Sequence, residues 1–147
     1  MKAKLIQERN PRTYALVFDV GEEVVRTLLD FAGKEGLHGS HLTAIGAFRE
    51  ATLGFFDWER KTYQKIPIRE QVEVLSFVGN VAEAEGKPAL HAHVVLGKAD
   101  GTAHGGHLME GYVRPTLEVV LLESPAHLRR RHDEQTGLAL LKPDDDR

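Results

Sequence analysis

The chain has 147 residues, 41% of them hydrophobic and 28% charged, with a net charge of −3 at pH 7 and no cysteine. A chain of this size suits one compact core, and without a thiol it can form neither disulfides, thiolate zinc sites nor cysteine nucleophiles. Any transition-metal site must use histidine nitrogen and carboxylate oxygen, and a mildly acidic chain lacks the global field that draws proteins to phosphate backbones.

Residues 1–8 turn polar too early for a secretory apolar segment, and nowhere does an apolar run approach the roughly eighteen residues of a membrane span. The expected location is the cytoplasm, with no membrane association. Thr13-Tyr14-Ala15-Leu16-Val17-Phe18 is β-branched and aromatic, is bounded by Pro11, Asp19 and Gly21, and reads as a strand. A helix follows over 22–35. Val24, Val25, Leu28, Leu29, Phe31 and Ala32 keep helical spacing, Glu22 and Glu23 suit the positive end of its dipole, and Gly36 suits its C-terminal cap.

Beyond it the period changes to two, or to short apolar runs, at 41–48, 51–58, 62–68, 72–81, 89–97, 102–108 and 116–123. The separators Arg49-Glu50, Glu59-Arg60-Lys61 and Lys98-Ala99-Asp100-Gly101 are too short for crossover helices, which predicts antiparallel neighbours. Ser124-Pro125 resembles an N-cap with proline in the first helical position, predicting a short helix to about residue 131, and the tail Asp144-Asp145-Asp146 is expected to be solvated. With no internal repeat or linker, residues 1–147 are expected to form a single α+β domain: a mostly antiparallel sheet of about seven strands packed with one main helix, plus the short C-terminal helix.

The residues that carry chemistry are histidines. His91 and His93 stand two apart, so in a strand both leave one face, a spacing that lets a metal take two ligands from one element. Whether His107 joins them depends on register. A two-residue turn at Asp100-Gly101 would pair His93 with Leu108 and send His107 to the opposite face, whereas a three-residue turn, or a bulge at Gly105-Gly106, would bring it round. His104 is then a reserve ligand or a supporting partner. Three neutral imidazoles with an open fourth position describe catalytic zinc sites. A hydrolase would also need a general base, for which Glu73, Glu110 and Glu118 are the nearest carboxylates in sequence.

Other features have plainer readings. Gly105-Gly106 lacks the strand-to-helix setting of a phosphate cradle, His38 and His41 read as ordinary histidines flanking a strand entrance, and Arg129-Arg130-Arg131 reads as a solvated helix face. No serine sits in a nucleophile-elbow pattern.

The segments Leu42-Thr43-Ala44-Ile45-Gly46-Ala47-Phe48, Gln71 to Asn80, Leu90-His91-Ala92-His93-Val94-Val95-Leu96, Asp100-Gly101, Gly105-Gly106-His107-Leu108 and Glu110-Gly111 resemble, in order and spacing, the plants and prokaryotes conserved (PPC) domain family over about residues 13–123. The resemblance implies a homotrimer and a divalent metal, zinc, bound through His91, His93 and His107. No separate cofactor-binding or catalytic residue is assigned. In plants the domain accompanies AT-hooks in nuclear proteins, but this chain holds no Arg-Gly-Arg-Pro sequence, which leaves nucleic-acid association to a patch of Arg129, Arg130 and Arg131 concentrated by trimerisation. The expected protein is thus a metal-binding homotrimer that takes a small-molecule ligand or regulates, with a zinc-dependent hydrolase as the alternative.

Overall fold

The computed structural model describes residues 1–7, 11–125 and 127–142. The acidic tail singled out above lies outside the described residues. Among these the order is β1 (Lys2–Gln7), β2 (Arg12–Phe18), α1 (Val24–Glu35), β3 (Gly39–Asp57), β4 (Thr62–Ile68), β5 (Val72–Ala84), β6 (Lys87–Gly97), β7 (Ala103–Glu123), β8 (Arg129–Asp133) and β9 (Leu138–Leu141). The α+β character is as expected, but the molecule is more sheet-dominated, with nine strands among the described residues where about seven were expected.

The helix forms where its apolar spacing predicts. Its N-cap is Glu23, whose carboxylate accepts from the backbone N–H of Val25 and Arg26 at 3.0 and 2.7 Å, and Gly36 ends it in the left-handed conformation at φ 62°. Val24, Leu28, Phe31 and Ala32 recur at helical intervals and are buried against the sheet.

Two long strands depart from expectation. Residues 41–48 and 51–57 lie on one strand, β3, and residues 103–108 and 116–123 on one strand, β7, with Trp58 and Thr102 just outside them. Arg49-Glu50 is no turn; the chain runs on by register shifts along the β3–β7 ladder between Gly46 and Phe48, Phe48 and Glu50, and Thr52 and Leu53. At Gly46 the two strands come so close that a Cβ would lie 2.3 Å from the carbonyl oxygen of Thr116.

One path of pairing runs β1-β2-β7-β3-β5-β8-β9, with β4 on β3. β6 pairs with both β5 and β7, so the pairings β3-β5-β6-β7 close into a ring. Every pairing is antiparallel except that of β5 with β8. Inside lie Phe18, Phe48, Phe77, Leu42, Leu53 and Leu96, all under 2% exposed. The opposite sheet face is unusually apolar for one facing water, with Ile45, Leu75, Val78, Val95 and Val120 between 40 and 64% exposed.

Among the described residues the short C-terminal helix does not form. Leu128 donates its backbone N–H to the carbonyl of His38 and accepts from Glu83, carrying the chain extended along β3 and β5, after which β8 and β9 make a hairpin. The charged run from Arg129 to His132 offers a helix no apolar stripe to bury, whereas a strand can divide it between two faces.

Candidate metal centre

Strand alternation places the histidines. Ala92, Val94 and Leu96 of β6 face the core, so His91 and His93 leave the outer face, opposite Asn80 and Val78 of β5. The β6–β7 register pairs His93 directly with His107. It follows from a three-residue turn: the Lys98 N–H donates to the Thr102 carbonyl at 2.8 Å, Gly101 takes φ 82°, and the Asp100 carboxylate accepts from the Thr102 N–H at 2.9 Å and its hydroxyl at 2.6 Å. No bulge at Gly105-Gly106 is used. Gly106 instead permits close approach of β7 to β3, since a Cβ there would lie 2.9 Å from the Gly54 carbonyl oxygen.

His91, His93 and His107 thereby meet, each offering a ligand nitrogen within 4.8 Å of the others. The Nε2 atoms of His91 and His93 are 3.2 Å apart, close to the separation of about 3.3 Å between two ligands on a tetrahedral zinc with Zn–N bonds of about 2.05 Å. The His107 ring lies 5.3 and 5.6 Å from theirs, centroid to centroid, and stacks at 4.8 Å on Tyr63 of β4. Its Nδ1 is buried with no hydrogen-bond partner.

Electrostatics favour the ligand form of these rings. Burial, then the other two histidines and Arg130, pushes the pKa of His107 down to about 4, and burial with Arg130 and His93 lowers that of His91. Both are therefore neutral near pH 7, as metal binding requires. Three imidazoles that converge in this way, one of them with a buried nitrogen that has no protein partner, fit a borderline-soft divalent ion such as zinc.

Beside the triad is a pocket of about 410 Å³, with His91 and His107 in its wall. Leu90 of β6 and Leu138, Leu140 and Leu141 of β9 make it largely apolar. The β8–β9 hairpin is held across the sheet by Lys61, whose ammonium donates to the Glu134 carbonyl at 3.2 Å. Arg130 also lines the pocket and is only 7% exposed. It donates to Asn80 Oδ1 at 2.6 Å and to the Ala139 carbonyl at 3.1 Å.

Several residues weighed above stand elsewhere. His104 pairs with Leu96, is exposed and does not belong to the triad. Glu110 lies 3.5 Å from the Thr52 hydroxyl and lines a separate pocket, Glu73 lines another, and Glu118 lines neither of these nor the pocket at the triad. His38 sits 3.8 Å from Glu83 and against the ring of His127, and His41 is exposed. The arginine run is no solvated helix face: Arg130 is buried, Arg129 lies 3.9 Å from Glu83, and Arg131 is exposed. Sequence reasoning missed Tyr63, Asn80 and Arg130 as neighbours of the site. One signal for the hairpin was legible, since Asp133 and Gly137 bracket a turn ahead of Leu138-Ala139-Leu140-Leu141.

Comparison with known proteins bears on the same region. The model of the Plants and Prokaryotes Conserved (PCC) domain matches residues 6–125. A metal-containing protein from Archaeoglobus fulgidus is 40% identical, with a TM-score of 0.84 over 95% of this chain and 99% of that one. A plant- and prokaryote-conserved protein from Pyrococcus horikoshii is 34% identical, with a TM-score of 0.84 over 96% and 94%. A Bacteroides thetaiotaomicron protein with a provisional DNA-binding description is 26% identical, with a TM-score of 0.88 over 95% and 96%. Among curated proteins, the bifunctional protein GlmU of Synechococcus sp. strain JA-3-3Ab is 30% identical over 129 residues, 86% of this chain and 20% of that protein. The chain thus spans about a fifth of the length of the curated relatives it matches. Among the described residues no helix is long and apolar enough to cross a membrane.

Proposed function

This chain belongs to the Plants and Prokaryotes Conserved (PCC) domain family, and from that premise we propose that residues 1–147 form one domain of a cytoplasmic homotrimer that holds zinc through His91, His93 and His107 and binds a small molecule beside it. The observation that carries this reading is the convergence of three imidazole nitrogens within 4.8 Å at the wall of a 410 Å³ pocket. The metal-containing description of the Archaeoglobus relative supports it. His91, His93 and His107 would hold the ion, which when bound would supply a Lewis acid to a solvent or ligand molecule beside it. The apolar hairpin wall limits access of bulk water. The exposed apolar sheet face supports assembly, because a surface holding Val78, Val95 and Val120 gains by being covered by another subunit.

The hydrolase alternative is weaker: among the described residues no carboxylate lines this pocket, so a metal-bound water would have no carboxylate base there. Nucleic-acid association draws on the descriptions of relatives, while the division of Arg129, Arg130 and Arg131 between interior and surface removes the continuous basic patch it would need. Elemental analysis of untagged protein tests the central reading. About one zinc per chain is expected in the natural protein and much less in His91→Ala, His93→Ala and His107→Ala. Equal metal in all four would remove the triad from the site.

A further inference from the structure

Among the described residues Arg130 has neutral partners only. Its two terminal nitrogens donate to an amide oxygen and a backbone carbonyl, its Nε is buried with no partner, and among the described residues no carboxylate pairs with it. An arginine only 7% exposed is normally matched by an anion, since an unpaired buried charge is costly. The cost here falls on the wall of a pocket. If the triad holds a divalent ion, the same pocket gathers two cationic groups with no carboxylate in its lining.

We infer that the pocket's ligand is a small monocarboxylate with an apolar body, its carboxylate drawn between Arg130 and the metal position and its body against Leu90, Leu138 and Leu140. The inference rests on the metal reading above for one of its two anchors, and on Arg130 alone for the other. Guanidinium geometry suits a carboxylate, which it can take through two parallel N–H···O bonds from donors that Asn80 and Ala139 leave unused. The leucines favour an aliphatic chain over a sugar or a nucleotide, whose hydroxyls would be buried against them without partners. A body of five or six heavy atoms fits well within 410 Å³.

The test compares 4-methylpentanoate with 4-methylpentanamide by isothermal titration calorimetry on zinc-loaded full-length protein, with zinc content measured on the same samples. The acid should bind at least about tenfold more tightly than the amide, because only the acid forms charge-assisted bonds. Arg130→Gln should erase that preference without changing the zinc content. Equal binding of acid and amide, or no binding of either, overturns the inference, and the unsubstituted protein alone decides this should Arg130→Gln fail to fold. Leu140→Trp, which fills the pocket from β9, should weaken the acid about tenfold or more, and unchanged affinity there would also refute it. Failure of the metal reading has a different signature: no zinc in the natural protein, with an acid preference that survives and still depends on Arg130.

Discussion

Zinc should stabilise this fold through His107, and the size of the effect can be worked out. His91 and His93 already stand at zinc-like separation, whereas His107 reaches across from β7, so ion binding adds a tie between two strands already joined by their ladder. At a free zinc concentration of about 100 times Kd, linkage adds about 2.7 kcal/mol, and at roughly 2–4 °C per kcal/mol for a chain of this size Tm should rise by about 5–10 °C. Replacing even a supporting partner of a metal ligand costs about 10–100-fold in affinity. A hundredfold loss in His107→Ala would bring the same zinc concentration to about Kd, worth only about 0.4 kcal/mol, or a shift of about 1–2 °C. Differential scanning fluorimetry with and without zinc, each variant against its own metal-free baseline, separates this from any packing defect. His104→Ala should keep the full shift, since it stands outside the triad. A full zinc shift in His107→Ala, or none in the natural protein, would refute the three-ligand geometry.

The metal-free protein should lose stability as pH falls through the histidine range. His107 takes up its proton near pH 4 when folded but near its ordinary value of about 6.5 when unfolded, so its contribution is complete above pH 6.5 and lost on the way down to 4; His107→Gln should show a shallower fall of Tm over that interval. Gly46→Ala should cost about 3 kcal/mol or more in urea denaturation, because the new methyl would meet the Thr116 carbonyl oxygen and, at 2.8 Å, Leu117 Cα, both backbone of β7. Gly101→Ala, at φ 82° with open space around it, should cost only about 1–2 kcal/mol. Light scattering should give a mass three times the 16.4 kDa of the chain, and Val120→Asp should reduce it to one, with its far-ultraviolet circular dichroism unchanged; a natural protein that is monomeric would refute the assembly.

Legibility in the sequence followed the range of the forces involved. The helix was readable because its apolar stripe and its Gly36 cap lie within fifteen residues, whereas the N-cap role of Glu23 was not, and β4 because its alternation is flanked by turns. The continuity of β3 through Arg49-Glu50 was not readable, since the register shifts that carry it are set by β7, about sixty residues away. The HxH parity of His91 and His93 is local and was plain. The place of His107 was a choice between two turn lengths, both compatible with Asp100-Gly101, and it was settled by the bond from Lys98 to Thr102. Arg130 illustrates the limit most clearly: three successive arginines look alike in sequence, and the one that turns inward is fixed by pairing Glu83 with Arg129 and Ala84 with Arg130, contacts between β5 and β8 across more than forty residues.

That long-range hairpin also explains how a histidine triad fit for a metal can stand on a sheet face turned away from the core. On the inner face, imidazoles would replace Ala92, Val94 or Leu108 and bury polar nitrogens among Phe77 and Leu53. On the outer face they cost the core nothing, but left uncovered they would be ordinary solvated histidines with unshifted acidity. The β8–β9 hairpin and Tyr63 supply cover on one side while His93 stays exposed, so His107 is desolvated enough to lose its charge and the site remains open. Sheet and hairpin therefore divide the work: β6 and β7 fix the positions of the nitrogens, and the late strands decide their protonation and what can reach them.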